Sequence, residues 1–206
     1  MAQGNPWSLT AKLRADPKRP LSQPPWLAEA PGVNRYALEG DAVLVADAPA
    51  RFHAEFVLEI AGRRLVLRRP VVFARTDAVR GEVVQPVELL PPVTLDLSQR
   101  LALLPHGRPT PLELILRATT DAGAVGKLSL HAPKGYTVTP TAADFALTAE
   151  RPEQRVVITV TAAAGAQRGS LEARAKVGEA TWALHRDVID HAHLPRRSVL
   201  RPAQVG

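Results

Sequence analysis

The densest group of residues able to do chemistry is His185-Arg186-Asp187-Val188-Ile189-Asp190-His191-Ala192-His193. On an extended strand alternate side chains share a face, which places Asp187, His191 and His193 together. Two imidazoles and a carboxylate are a sound donor set for zinc and related divalent ions. His185, His191 and His193 are therefore the candidate metal ligands, and a small histidine-based metalloprotein is one reading of the chain. The group lies where the last strand runs into a proline-bearing exit, however, and precise sites sit on rigid elements. Solvated polar residues at a strand end account for the same pattern.

No other residues assemble a recognisable reaction centre, and no catalytic residue or cofactor is expected. Gly-x-Ser-x-Gly is missing, and Ser98, Ser129 and Ser170 fall in ordinary strand or turn contexts. The phosphate-cradling Gly-x-x-x-x-Gly-Lys-Ser/Thr loop is missing too. The chain has no cysteine, which removes disulfides and thiolate metal sites. Glu55 and Glu59 occupy the polar positions of a strand and read as solvated. Exposed aromatic rings could stack on sugars, which makes Trp26, Tyr36, Tyr136 and Trp182 the candidates for a carbohydrate-binding module. Trp182 shares its parity with Ala180 and Leu184, which favours core packing because tryptophan buries so much apolar area. Tyr136 follows the Lys134-Gly135 turn and is freer to face solvent.

The elements that must position these residues read as strands. Nineteen prolines in 206 residues are well above the usual ~5%, and proline breaks helix interiors. Phe52, Ala54, Phe56, Leu58 and Ile60 alternate with His53, Glu55, Val57 and Glu59, the period of a half-buried antiparallel strand. Ala61-Gly62-Arg63 predicts a tight turn, Leu65 and Leu67 a return strand, and Val71-Val72-Phe73 a further one. Strands are also expected at 93–97, around Leu112/Leu114/Leu116 and Leu128/Leu130, and over 156–161, 171–177 and 180–184. Turn signals separate them at the spacing of a sandwich or barrel. The expected fold class is all-β: two consecutive immunoglobulin-like β-sandwich domains with an irregular N-terminal arm. The arm is residues 1–31, with Trp7 and Trp26 as anchors. The first module is 32–91, the second is 92–190 with the boundary at Pro91-Pro92, and 191–206 is a basic linker or tail.

The net charge of +6 and the pI near 10.3 raise the question of nucleic acid. Basic residues come as short pairs such as Arg63-Arg64, Arg68-Arg69 and Arg196-Arg197, and aromatics are only 4%. That is neither a dense basic stripe nor a stacking platform, and no nucleic-acid partner is expected. No window approaches 18 consecutive apolar residues, so no helical membrane span is expected. The first residues lack the basic start and apolar core of a signal peptide. Either the protein stays in the cytoplasm or its natural start lies upstream.

Three segments resemble the non-catalytic region of large bacterial PIG-L (LmbE-like) deacetylases. Leu21-Ser22-Gln23-Pro24-Pro25-Trp26-Leu27 is similar to a (T/S)-Q-P-Y-W-L segment, with Pro25 in place of the usual tyrosine. Phe56–Ile60, Arg69-Pro70-Val71-Val72, Asp77-Ala78-Val79-Arg80-Gly81-Glu82 and Pro91-Pro92-Val93-Thr94 resemble an RPV…D-x-V-x-G-E…PPV core. Ile189-Asp190-His191-Ala192-His193-Leu194-Pro195 is similar to an I-x-Y-x-H-I-P exit, with His191 in the tyrosine's place. The resemblance spans about the whole chain in order. It implies a fragment from the sandwich region that follows a zinc-dependent N-acetylglucosaminyl deacetylase domain, whose His-Pro-Asp-Asp-Glu motif is absent here. The implied partner is that catalytic domain in the same polypeptide, with a glycan or a second copy as further partners. The implied location is periplasmic or secreted, as part of a larger exported protein.

Overall fold

The computed structural model describes residues 8–12, 19–27, 32, 35–36, 50–191 and 196–206. Within them the chain is all-β, with fifteen strands in antiparallel sheets and one 3-10 turn at Pro25–Leu27. β1 (His53–Ile60) and β2 (Arg63–Pro70) form the hairpin that the alternation predicts, with Ile60 opposite Arg63. Ala61 (φ 50°) and Gly62 (φ 75°) both take the left-handed conformation, which a two-residue type I′ loop requires. β3 (Val72–Asp77) and β4 (Gly81–Pro86) form a second hairpin. Its turn is tied by the Asp77 carboxylate, which accepts from the Arg80 and Val79 amides at 3.0 Å. Those two bonds outweigh desolvation and, with Arg75, hold the Asp77 carboxyl below its usual range. No residue from 50 to 90 is buried, and Phe56, Ile60, Leu65 and Phe73 are each about half-exposed. Residues 37–49, assigned to this module in the sequence, lie outside the described residues.

The second part carries the core. β5 (Val93–Leu97), β6 (Thr110–Ala118), β8 (Tyr136–Thr139) and β10 (Glu153–Ala162) make one sheet in the order β5-β6-β10-β8. β7 (Ala124–His131), β9 (Ala142–Leu147), β11 (Leu171–Val177) and β12 (Ala180–Trp182) make the other, in the order β12-β11-β7-β9. The alternate residues Val93/Leu95/Leu97, Leu112/Leu114/Leu116 and Ile158/Val160 of the first sheet form one buried cluster with Leu128/Leu130, Phe145/Leu147 and Leu171/Ala173/Ala175 of the second. Two sheets sharing one apolar layer are a β-sandwich. Trp182 packs against this cluster, as its parity predicts.

The outer face of the first sheet is laced by ion pairs. Arg117 bridges Asp96 and Glu153 at 3.0 Å, and Arg155 bridges Glu153 and Glu113 at 3.1 and 3.2 Å. These link β5, β6 and β10 crosswise. The arginines are 44% and 61% exposed, where water screens such pairs and they add little to stability. A single buried leucine contributes roughly 1.5–3 kcal/mol, so the apolar layer, and not the ion pairs, holds the sandwich together.

The tail corrects an expectation. Residues 196–206, read in the sequence as part of a linker, are built into the fold as β14 (Arg197–Pro202) and β15 (Gln204–Val205). β14 pairs along its length with β13 (Leu184–Ile189), and β15 pairs with β11. Ser198, Val199, Leu200, Ala203 and Val205 are all buried. β13 is its neighbour in sequence, but β11 and the Glu88 and Gln23 side chains that bond the Ser198 and Leu200 amides come from further away, which a local pattern does not display.

The Pro91-Pro92 junction is likewise held in place. Pro91 is fully buried, the Thr119 hydroxyl donates to its carbonyl, and the Thr119 amide donates to the Pro92 carbonyl at 3.2 Å.

Candidate functional site

The described members of the histidine cluster separate into different settings. His185 and Asp187 project from the same face of β13, as strand parity requires, and His185 Nε2 lies 3.0 Å from Asp187 Oδ1. The other ring nitrogen, Nδ1, lies 3.4 Å from Asp96 Oδ1 on β5. Each ring nitrogen therefore has a carboxylate partner, from elements about ninety residues apart in sequence. His191 follows β13 and is exposed, and His193 lies outside the described residues. Among the described residues no three histidine and carboxylate side chains converge in a way that could hold a metal ion.

Asp187 is the hub of the group. Arg100 Nη2 donates to both of its oxygens, at 2.9 and 2.8 Å, and Arg201 Nε lies 3.2 Å from Oδ2. Partial burial pushes the carboxyl up, but the hydrogen bond from His185 and the charges of His185, Arg100 and Arg201 outweigh it. The net result lies below the ordinary aspartate range. A lowered folded-state value means the unfolded chain takes up protons first. The stabilisation is thus complete above the ordinary aspartate value of about 3.9 and is lost as pH falls through the folded value. Asp187→Asn is expected to lower the urea midpoint at pH 7 and to flatten its decline between about pH 5 and 2. A decline as steep as in the parent protein would show that Asp187 is not linked to folding. Glu153, lowered first by its hydrogen bond from Arg117, and Asp77 supply slope that remains.

These groups border an open cleft of about 580 Å³, which also reaches Arg168, Ser98 and Ser170. Asp96 sits at the outward-facing position of an otherwise buried strand, a weak signal that the sequence does offer. Arg100, Arg168 and Arg201 lie in turn or tail segments with no local pattern to mark them. Sequence reasoning singled out none of the four.

The aromatic candidates are not brought together. Trp26 is half-buried in a smaller cavity of about 290 Å³ between the segment 21–27, the β3–β4 hairpin and β14. The Arg197 guanidinium lies 5.9 Å from the centroid of its ring. Tyr136 packs against the sandwich core and donates to the Gln167 carbonyl at 3.1 Å. Trp182 is also part of the core packing, and Tyr36 is 55% exposed.

A further set of residues fastens the segments preceding β5 onto β14. Gln23 Oε1 accepts from the Leu200 amide at 2.8 Å while its Nε2 donates to the Leu200 carbonyl at 2.6 Å. One side chain thereby occupies both backbone groups of a strand residue. Glu88 accepts from the Ser198 amide at 2.8 Å, the Ser198 hydroxyl at 2.6 Å and Arg186 Nη2 at 3.2 Å. The Ser22 hydroxyl accepts from the Leu89 amide, and the Ser22 amide donates to the Leu89 carbonyl, both at 2.8 Å.

No protein-family model and no curated protein matches the chain. No helix among the described residues is long and apolar enough to cross a membrane.

Proposed function

We propose that this chain is a non-catalytic accessory region of a larger bacterial deacetylase of the PIG-L type, holding a neighbouring catalytic domain at a fixed position. The observation that carries the reading is the interlock on β14. Gln23, from the first of the resembling segments, grips Leu200, which follows the third, across 177 residues. The second resembling segment supplies the two hairpins and the start of β5. The first segment is thus tied to β14, as a rigid spacer needs. His185 and Asp187 of the histidine cluster are bonded to each other and to their neighbours: His185 has a carboxylate on each ring nitrogen, and Asp187 has two arginines besides. The partner is the catalytic domain of the same polypeptide, and the setting is periplasmic or extracellular.

The purified chain, supplied with zinc and N,N′-diacetylchitobiose, is expected to release no acetate above a protein-free blank. The reading frame around it is expected to encode a His-Pro-Asp-Asp-Glu segment upstream. Acetate release by this chain alone, or a reading frame without such a domain, overturns the reading.

A further inference from the structure

The 580 Å³ cleft beside β13 has features that the accessory role does not use. Three guanidinium groups border it from separate segments: Arg100 after β5, Arg168 before β11 and Arg201 on β14. Asp187 holds two of them, through one terminal nitrogen of Arg100 and through Nε of Arg201. The remaining nitrogens of both heads carry donors with no partner among the described residues, and Arg168 makes no side-chain bond to any of them. Asp96 and Asp187 are the side-chain carboxylates of the lining, and both are already engaged by cations; Gly206 also lines it, bonded to Arg100 and Ala102 through its backbone. The unspent hydrogen-bonding capacity is therefore mostly cationic donor, on residues that border a space open to solvent.

The chemistry of the lining narrows the occupant. Free guanidinium forks match the geometry of carboxylate, sulfate and phosphate and bind them by charge-assisted bonds. The volume falls in the ~300–1,000 Å³ range of small-molecule sites, more than a lone inorganic anion fills. No tryptophan, tyrosine or phenylalanine lines the cleft, so a nucleobase has no aromatic ring to stack on. The hydroxyls of Ser98 and Ser170 and the amide of Gln204 lie around it, without a partner among the described residues, and suit a ligand rich in hydroxyl groups. We propose that this cleft binds a carboxylated sugar, with Arg100, Arg168 and Arg201 on the carboxylate and Ser98, Ser170 and Gln204 on the hydroxyls.

The inference does not depend on the deacetylase reading, because binding is measured on this chain alone. Calorimetric titration at low salt would compare trigalacturonate, neutral maltotriose and sodium sulfate. Trigalacturonate is expected to bind about tenfold or more tightly than either of the others. Arg168→Ala is expected to weaken it about tenfold while leaving the urea midpoint unchanged, since Arg168 holds no other part of the fold. Arg201→Ala is expected to weaken it similarly. Absence of trigalacturonate binding, equal affinity for maltotriose or sulfate, or unchanged affinity in Arg168→Ala would each overturn the proposal. Tighter binding of single-stranded oligonucleotide, lost in the same variant, would replace it with a nucleic-acid site.

Discussion

Replacing Gly126 with alanine is expected to destabilise the fold by on the order of 3 kcal/mol. Gly126 lies in β7 with the parity of Ala124, Leu128 and Leu130, the residues that face the core. Its cross-strand partner on β9 is Phe145, and an added Cβ would meet the ring's Cζ at 2.9 Å. The same Cβ would overlap the backbone carbonyl oxygen of Lys176 on β11. β7 is hydrogen-bonded between β9 and β11, so relief requires shifting a paired backbone on one side or a buried ring on the other. Alanine would ordinarily gain ~0.4–1 kcal/mol by restricting the unfolded chain, which the overlap exceeds. Gly165 provides the control: it has open space but φ +76°, so alanine there costs only about 1–2 kcal/mol of backbone strain. Urea unfolding of the two variants tests the contrast. Equal losses would mean that the Phe145 ring and the Lys176 strand yield to the methyl group.

The sequence displays the strands of the sandwich and conceals how they are tied together. Leu112/Leu114/Leu116 and Leu171/Ala173/Ala175 are legible because period-2 alternation and one-sided burial are the same fact seen twice. The Ala61-Gly62 turn is legible through Gly62, because the turn needs positive φ and glycine supplies it without strain. The tail is not legible, since Val199 and Leu200 are adjacent and both buried. No single-faced pattern covers that arrangement, and it arises because β13 pairs with β14 while Gln23 and Glu88 occupy backbone groups of the same strand. The His185–Asp187 contact follows from parity along one strand, whereas Asp96, Arg100 and Arg201 reach it from elsewhere in the fold. Side chains that meet across long sequence separations leave no periodic trace, and both the interlock and the arginine cleft are of that kind.

Glu88→Ala is expected to cost about 2–3 kcal/mol and to loosen the hairpins from the sandwich. Glu88 and Arg186 are each only 22% exposed, so water replaces the lost partner poorly. The carboxylate accepts three bonds, two of them from the amide and hydroxyl of Ser198, which is 3% exposed. Removing it leaves the Ser198 amide without an acceptor and a half-buried guanidinium with only the Ser198 hydroxyl, to which its Nε donates at 2.8 Å. Breaking a fully buried pair costs about 3–5 kcal/mol. Residual exposure brings this one lower, but it stays well above the ~0–1 kcal/mol of a surface pair. Glu88→Gln, which keeps the shape and one acceptor, is expected to recover part of the loss. Arg186→Met combined with Glu88→Ala is expected to cost less than the sum of the two single changes, because the stranded charge is gone. Glu88 directly follows the β3–β4 hairpin and its partners lie on β13 and β14. Trypsin is therefore expected to cut the arginine-rich region 63–69 faster in Glu88→Ala than in the parent protein. A loss below about 1 kcal/mol, with proteolysis unchanged, would show that Glu88 is effectively solvated and that Gln23 and Ser22 alone hold the junction.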